Sequence, residues 1–350
     1  MGPHMLRSAD TLFSGNAYPE GRATGSETRL KEFAGKLAVI TGGGSGIGRE
    51  LALQLSFEGC NLSLCDLSSE AMRETHRLCT ERETKGVRIG TSVTDVADEQ
   101  QVLAFRETVR AEHATDHLDL LFNNAGIGGG GSFLNESRAD WERTFNVCWG
   151  GMYYCTRAFL PMILASTDAH IVNTSSINGF WASFGYNRPH TAYSAAKFAV
   201  KGFTEALIND LRLNAPHVKC SVVMPGHIGT SIVRNTREIL SGKTLDEMGL
   251  REFAQAREAI AATGADPSNW SDERVRAILA DASDRFETQA PTSAAEAARS
   301  ILQGVREARW RILVGPDAHA LDALVRADPE AAYEETFVQP LRDAGYWQLG

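Results

Sequence analysis

The chain has 350 residues, 43% of them hydrophobic and 23% charged, with a formal net charge of −9. It can bury a substantial core, as one large α/β domain or as two domains. The acidic balance, with no basic cluster carrying interleaved aromatics, excludes a nucleic-acid surface, and no run approaches the roughly 18 apolar residues of a membrane span.

Positions 1–5, Met-Gly-Pro-His-Met, read as a tag remnant with the natural start at Met5. The polar, Gly-rich stretch to residue 31 lacks the apolar core of a signal peptide and reads as a flexible arm. From residue 32 the pattern predicts one domain running to 350. Short apolar runs at 37–41, 61–66, 87–93, 118–123, 171–174 and 219–224 read as strands buried on both faces, with a seventh at 311–314. Helical periodicity fills the gaps at 47–58, 69–84, 99–114, 139–159 and 193–213. Ser137 and Asp140 start the fourth of these in the manner of a capping box, with Asp in the place of Glu. This alternation predicts an α/β fold, a single doubly wound, mostly parallel seven-stranded sheet with helices on both faces.

The interval 232–290 breaks the rhythm with helical patterns at 250–262 and 272–286, and is expected to be a helical insertion returning to the same sheet. The tail, 316–350, carries a weaker helix at 321–326 and ends in aromatics. Six cysteines without a Cys-x-x-Cys pair read as buried thiols of a reducing cytoplasm. His113 and His117 lack a third ligand, so no metal is expected.

Several motifs carry chemistry. After the first strand, Thr41-Gly-Gly-Gly-Ser-Gly-Ile-Gly48 places Gly42, Ser45, Gly46, Ile47 and Gly48 in a turn opening a helix. That is the context in which a helix N-terminus receives a pyrophosphate. Asp66 ends the second strand, where a carboxylate accepts from ribose hydroxyls and repels a 2′-phosphate. Leu67 and Ser68 follow it, so no cation welcomes that phosphate and NAD is expected over NADP. Tyr193 and Lys197 lie four apart on one helix face, close enough for an ammonium to favour a phenolate.

Assembled, these pieces resemble the short-chain dehydrogenases/reductases over about 36–232. The resemblance rests on TGGGSGIG, Asp95-Val96, Asn123-Asn124-Ala125-Gly126, Ser175-Ser176, Tyr193-Ser-Ala-Ala-Lys197 and Pro225-Gly226-His227-Ile228-Gly229-Thr230, in the family's order. It implies an NAD-dependent oxidoreductase moving hydride between a CH–OH group or its ketone and nicotinamide. Tyr193 matches the general acid/base, Lys197 the residue that lowers its pKa and holds the nicotinamide ribose, and Ser176 the residue that holds the substrate oxygen. Asn146 matches the asparagine of a water-linked proton relay. Asp95 and Val96 would flank the adenine, Asn124, Ala125 and Gly126 would line the cofactor, and Pro225, Gly226, Ile228 and Thr230 would meet the carboxamide. Ser176 is taken over Ser175 because it directly precedes Ile177-Asn178-Gly179.

The 17 positions from Ser176 to Tyr193 exceed the family's short-loop spacing. The added aromatics Phe180, Trp181, Phe184 and Tyr186 either pack against a lid or neighbouring subunit, or wall an apolar pocket. On the second reading Asn178, Phe184 and Tyr186 join Ser176 and Tyr193 in contacting a hydrophobic or aromatic substrate beneath a lid at 232–290. Four glycines at 128–131 should leave the backbone beside the cleft mobile. His190 and His227 are expected to be structural. The resemblance further implies a homotetramer or homodimer, and the NAD preference suggests oxidation. A dinucleotide-sensing regulator that has lost the chemistry and a sugar-nucleotide-modifying enzyme are the rival readings. Trp149, Met152 and Tyr153 read as helix-packing residues.

Overall fold

The computed structural model describes residues 32–82, 86–129, 131–185, 188–261 and 264–347. The N-terminal arm and Tyr186 lie outside the described residues. Seven strands form one sheet in the order β3-β2-β1-β4-β5-β6-β9. They are β1 (Leu37–Thr41), β2 (Asn61–Asp66), β3 (Ile89–Val93), β4 (Leu120–Asn123), β5 (Ala169–Thr174), β6 (Val218–Pro225) and β9 (Arg311–Val314), and every pairing is parallel. The order turns back between β1 and β4. In open α/β sheets such a switch point leaves a crevice at the carboxyl ends of the strands. The central strands β1 and β4 are buried at every position, as sequences covered on both faces must be.

One face is covered by α1 (Gly46–Glu58), α2 (Ser69–Arg82) and, further along the chain, Ala294–Arg306. The other is covered by α3 (Glu99–His113), α5 (Gly151–Leu164) and α6 (Thr191–Asn214). The predicted helix at 139–159 is present but not uniform. It divides into α4 (Arg138–Phe145), a π-turn at Asn146–Gly150 and then α5. The backbone N–H of Gly151 reaches Asn146 O across that turn. The predicted cap holds: the Ser137 hydroxyl accepts from Asp140 N at 3.1 Å.

Three helices, α7 (Ile232–Ser241), α8 (Leu250–Ala261) and α9 (Asp272–Thr288), occupy the expected insertion. Phe253, Ala256 and Val275 give α8 and α9 a small core of their own. The short strands β7 (Ile228–Gly229) and β8 (Thr292–Ser293) then pair and lead into α10 (Ala294–Arg306). α10 is not among the helices the periodicity predicts, although Thr-Ser-Ala-Ala-Glu carries a start signal. The Ser293 hydroxyl accepts from Glu296 N, and Ser293 N donates to the Glu296 carboxylate. Its apolar face, Ala297, Ile301, Leu302 and Val305, is buried.

After β9 come α11 (Pro316–Ala327) and α12 (Gln339–Asp343). The tail folds back over the loop that follows β5. Trp181 is buried among Leu321, Phe337, Leu341 and Trp347, and its indole N–H donates to Ala332 O at 2.6 Å. Trp181 therefore packs on the chain's own tail, which neither sequence reading had named as its partner.

Candidate active site

The glycines of the first turn are dictated by space. Gly42 has φ +67°, and a Cβ there would stand 2.9 Å from Ala125 Cα; Gly46 has φ +52°. A Cβ on Gly48 would meet Gly42 O at 2.0 Å, so this glycine serves the close approach of α1 to the turn. The Thr41 hydroxyl accepts from the backbone N–H groups of Asn124 and Ala125, both at 3.0 Å. Asn124 Nδ2 donates to Thr41 O at 3.1 Å, tying the turn after β1 to the loop after β4. Beneath lies a buried polar chain: Asn123 Nδ2 donates to Asn173 Oδ1 at 2.8 Å, and Asn173 Nδ2 to Thr204 Oγ1 at 3.0 Å. No local pattern marks that chain, since nothing local reveals which strands are neighbours.

A cavity of about 510 Å³ opens along these loops. Gly42, Ser45, Gly46, Ile47, Asp66 and Leu67 line one end. Asp95, Val96, Asn124, Ala125 and Gly126 follow, then Pro225, Gly226, Ile228 and Thr230, and Ser176, Asn178, Phe184, Tyr193 and Lys197 complete it. Nearly every residue singled out from the motifs is thus brought to one cleft. Two positions fall away from it. The π-turn leaves the Asn146 side chain exposed and off the cavity wall, and Gly48 lies behind the turn.

Asp66 accepts from Gly44 N at 3.0 Å and from Ser68 N at 3.1 Å, so its carboxylate shapes the turn as well as facing the cleft. Asp95 is held by Arg143 at 2.7 Å and accepts from Ala97 N at 3.0 Å. These bonds fix the loop that places Val96. The bare glycines, the helix N-terminus and a carboxylate one strand away fit a dinucleotide.

The two serines separate by role. The buried Ser175 hydroxyl donates to Lys197 O at 2.7 Å and fastens β5 to α6. The Ser176 hydroxyl accepts from Asn178 N at 3.2 Å and lines the cavity together with Tyr193. Lys197 is 3% exposed; its Nζ donates to Thr174 O at 2.8 Å and stands 5.3 Å from the centre of the Tyr193 ring.

Burial pushes the Tyr193 phenol well above its ordinary value, the Cys148 thiol adds to that, and only the Ser176 hydroxyl draws it down. Burial lowers the pKa of Lys197 itself, and its ammonium donates to the Thr174 carbonyl.

Residues the motifs did not single out also line the cleft. The His190 ring lies 4.7 Å from that of Tyr193 and 4.4 Å from that of Phe184. His227 Nε2 pairs with Phe286 O at 2.7 Å, and the backbone N–H of His227 donates to Asp317 Oδ2 at 2.5 Å. A Cβ on Gly226 would come within 2.2 Å of Asp317, so the loop after β6 closes directly on the start of α11. The one available signal was the acid in the first turn of the helix beginning at Pro316. Ile232, Val233, Thr236 and Ile239 of α7 and Phe286 of α9 cover the apolar side. In the glycine loop, Gly128 N donates to Thr236 Oγ1 at 2.7 Å. Gly129 also leaves room for no more than a hydrogen beside Thr144 and Leu240.

Burial pushes His190 and His170 down to about 3. Below the unfolded value of about 6.5, the unfolded chain takes up protons that the folded chain refuses, so acid removes stability. Between pH 7 and 5.5 each imidazole is expected to cost on the order of 1 kcal/mol. Urea midpoints at the two pH values, with His170→Gln removing on the order of 1 kcal/mol of the drop, check this.

The family model described as short chain dehydrogenase matches residues 36–240. SadH of Mycobacterium tuberculosis, described as an oxidoreductase, is 36% identical over 297 residues, 85% of this chain and 92% of its own. Epidermal retinol dehydrogenase 2 of Mus musculus is 34% identical over 203 residues, 58% of this chain and 63% of its own. Among solved structures, a short-chain dehydrogenase/reductase from Burkholderia phymatum in complex with NAD superposes with a TM-score of 0.68. It is 30% identical and covers 87% of this chain and 98% of its own.

Proposed function

The chain belongs to the short-chain dehydrogenase/reductase family, and from that premise we propose that it is an NAD-dependent oxidoreductase of hydrophobic secondary alcohols or their ketones. The observation that carries this reading is the meeting of Ser176, Tyr193 and Lys197 in the cleft that the glycine turn opens. The dinucleotide supplies the hydride donor or acceptor when bound. Gly42, Ser45, Gly46 and Ile47 would hold its phosphates, Asp66 its adenosine ribose, and Lys197 its nicotinamide ribose.

Tyr193 passes the proton and Ser176 steadies the substrate oxygen as charge develops on it. A phenol held protonated by burial is set to donate, so Tyr193 acts as the acid towards a ketone; in the reverse direction it must first lose its proton. The exposed Asn146 side chain gives the relay reading no support from side-chain position. The apolar residues of α7 and α9 exclude water from the reacting carbon, which strengthens each polar contact there. An oligomer formed through α5 and α6, whose surface carries Tyr153 and Phe198, belongs to the same proposal, as does a cytoplasmic location. Among the described residues no helix is long and apolar enough to cross a membrane.

The test is NADH formation across steroid, terpenoid, aromatic and short aliphatic alcohols, repeated with NADP. Bulky apolar alcohols should be oxidised with NAD, and Asp66→Ser should shift the NAD:NADP ratio of kcat/KM towards NADP by about tenfold or more. Turnover confined to small polyols would sink the hydrophobic-substrate reading, and an unchanged ratio the role of Asp66.

A further inference from the structure

The helical insertion touches the dinucleotide half of the cleft through one side chain. Asn235 of α7 is half-buried and lines the cavity, and its Nδ2 donates to Ser45 Oγ at 3.2 Å. Ser45 stands at the N-cap of α1, yet its hydroxyl makes no bond to the first N–H groups of that helix, which are left for a ligand. Neighbouring contacts press α7 and the residues before it on the same loops. Thr236 Oγ1 accepts from Gly128 N, and the Thr230 methyl would stand 3.0 Å from a Cβ on Gly46. Arg237 Nη1 donates to Ser283 Oγ at 3.3 Å and carries the connection on to α9.

A pyrophosphate brings negative charge to the end of the cleft that Ser45, Gly46 and Ile47 line. Among the described residues, the lysine and arginine lining the cavity are Lys197, which donates to Thr174 O, and Arg188, on the loop before α6. The turn itself offers neutral donors: its backbone N–H groups, the Ser45 hydroxyl, and a carboxamide with two protons, of which Ser45 takes one. Resting on the reading of this cleft as a dinucleotide site, we infer that Asn235 is a further dinucleotide-binding residue. Its second amide proton and the Ser45 hydroxyl meet the pyrophosphate together, and α7 closes on the cofactor through that bond. Ile232, Val233 and Ile239 of α7 and Phe286 of α9 wall the apolar side. The wall for the substrate is thus completed over a bound dinucleotide, and the alcohol binds second.

The experiment is calorimetric titration with NAD, with ADP-ribose, which keeps the pyrophosphate and lacks the nicotinamide, and with adenosine, which lacks both. Asn235→Leu keeps the size of the side chain and removes its donors. It should weaken NAD and ADP-ribose alike by about tenfold or more, the size of one hydrogen bond to a charged group. Adenosine should bind within about twofold of the parent, which also reports an intact fold. Asn235→Asp, with a carboxylate facing the phosphates, should lose more than Asn235→Leu, and Asn235→Gln should recover part of the loss. Limited proteolysis of the α7–α8 connection supplies a second readout. ADP-ribose should protect it in the parent, and about tenfold less in Asn235→Leu, because a ligand shifts a closure only by its differential affinity for the closed state. The inference is overturned if Asn235→Leu binds ADP-ribose within twofold of the parent, if adenosine weakens as much, or if protection persists in the variant. NAD binding that ignores Asn235 would leave the dehydrogenase reading standing. A parent that binds neither NAD nor ADP-ribose would remove both.

Discussion

Tyr193→Phe should lower kcat/KM for every accepted alcohol or ketone by about a hundred- to ten-thousand-fold, the range of a lost general acid/base. The substitution removes one hydroxyl and leaves the ring, so the packing of Tyr193 among its apolar neighbours on the α6 side of the sheet is kept. The loss should fall mainly on kcat, because the proton moves in the transition state while the ring still shapes the pocket. Dinucleotide binding, followed by quenching of tryptophan fluorescence, should stay within about threefold, since the turn at Gly42 and Gly46 is untouched. Turnover within tenfold of the parent would show that another group moves the proton. The nearest alternative is His190, with its ring 4.7 Å away, and the pH profile of the variant would then report that imidazole instead of a phenol.

The second large effect concerns stability. Trp181→Ala should cost about 3–5 kcal/mol, the usual range for emptying a buried large aromatic site. The indole is 2% exposed, stands 5.3 Å from the Trp347 ring and 5.9 Å from that of Phe337, and donates to Ala332 O. Its removal leaves a cavity and a carbonyl without its donor. Urea unfolding gives the free-energy change, and limited proteolysis of the native protein should release the segment after Gly315 sooner. A loss below about 1 kcal/mol would mean that the tail is held by its other contacts.

The sheet was legible because its strands announce themselves. Continuous apolar runs such as Leu37–Thr41 can only be covered on both faces, and the glycine turn that follows names the cleft end. Ser176, Tyr193 and Lys197 were legible for a related reason: each sits at a fixed offset from a strand or along a helix. What escaped was set by contacts distant in sequence. Nothing near Trp181 says that Ala332 will meet its indole, and nothing near Gly226 announces Asp317. The spacing of Tyr193 and Lys197 is a local fact, yet their protonation follows from burial, which the spacing does not contain. α10 was overlooked because its Ala-rich stretch resembles the insertion before it, although Ser293 and Glu296 marked its start.

The seating of the tail on Trp181 also bears on how this protein can be re-engineered. The loop from Ile177 carries Asn178 and Phe184 to the cleft, and its Trp181 indole bonds Ala332, 151 positions further along. Transplanting that loop alone into a related scaffold would leave its indole without a seat. Loop and tail form one exchangeable cassette, and a library that diversifies substrate preference should recombine them together.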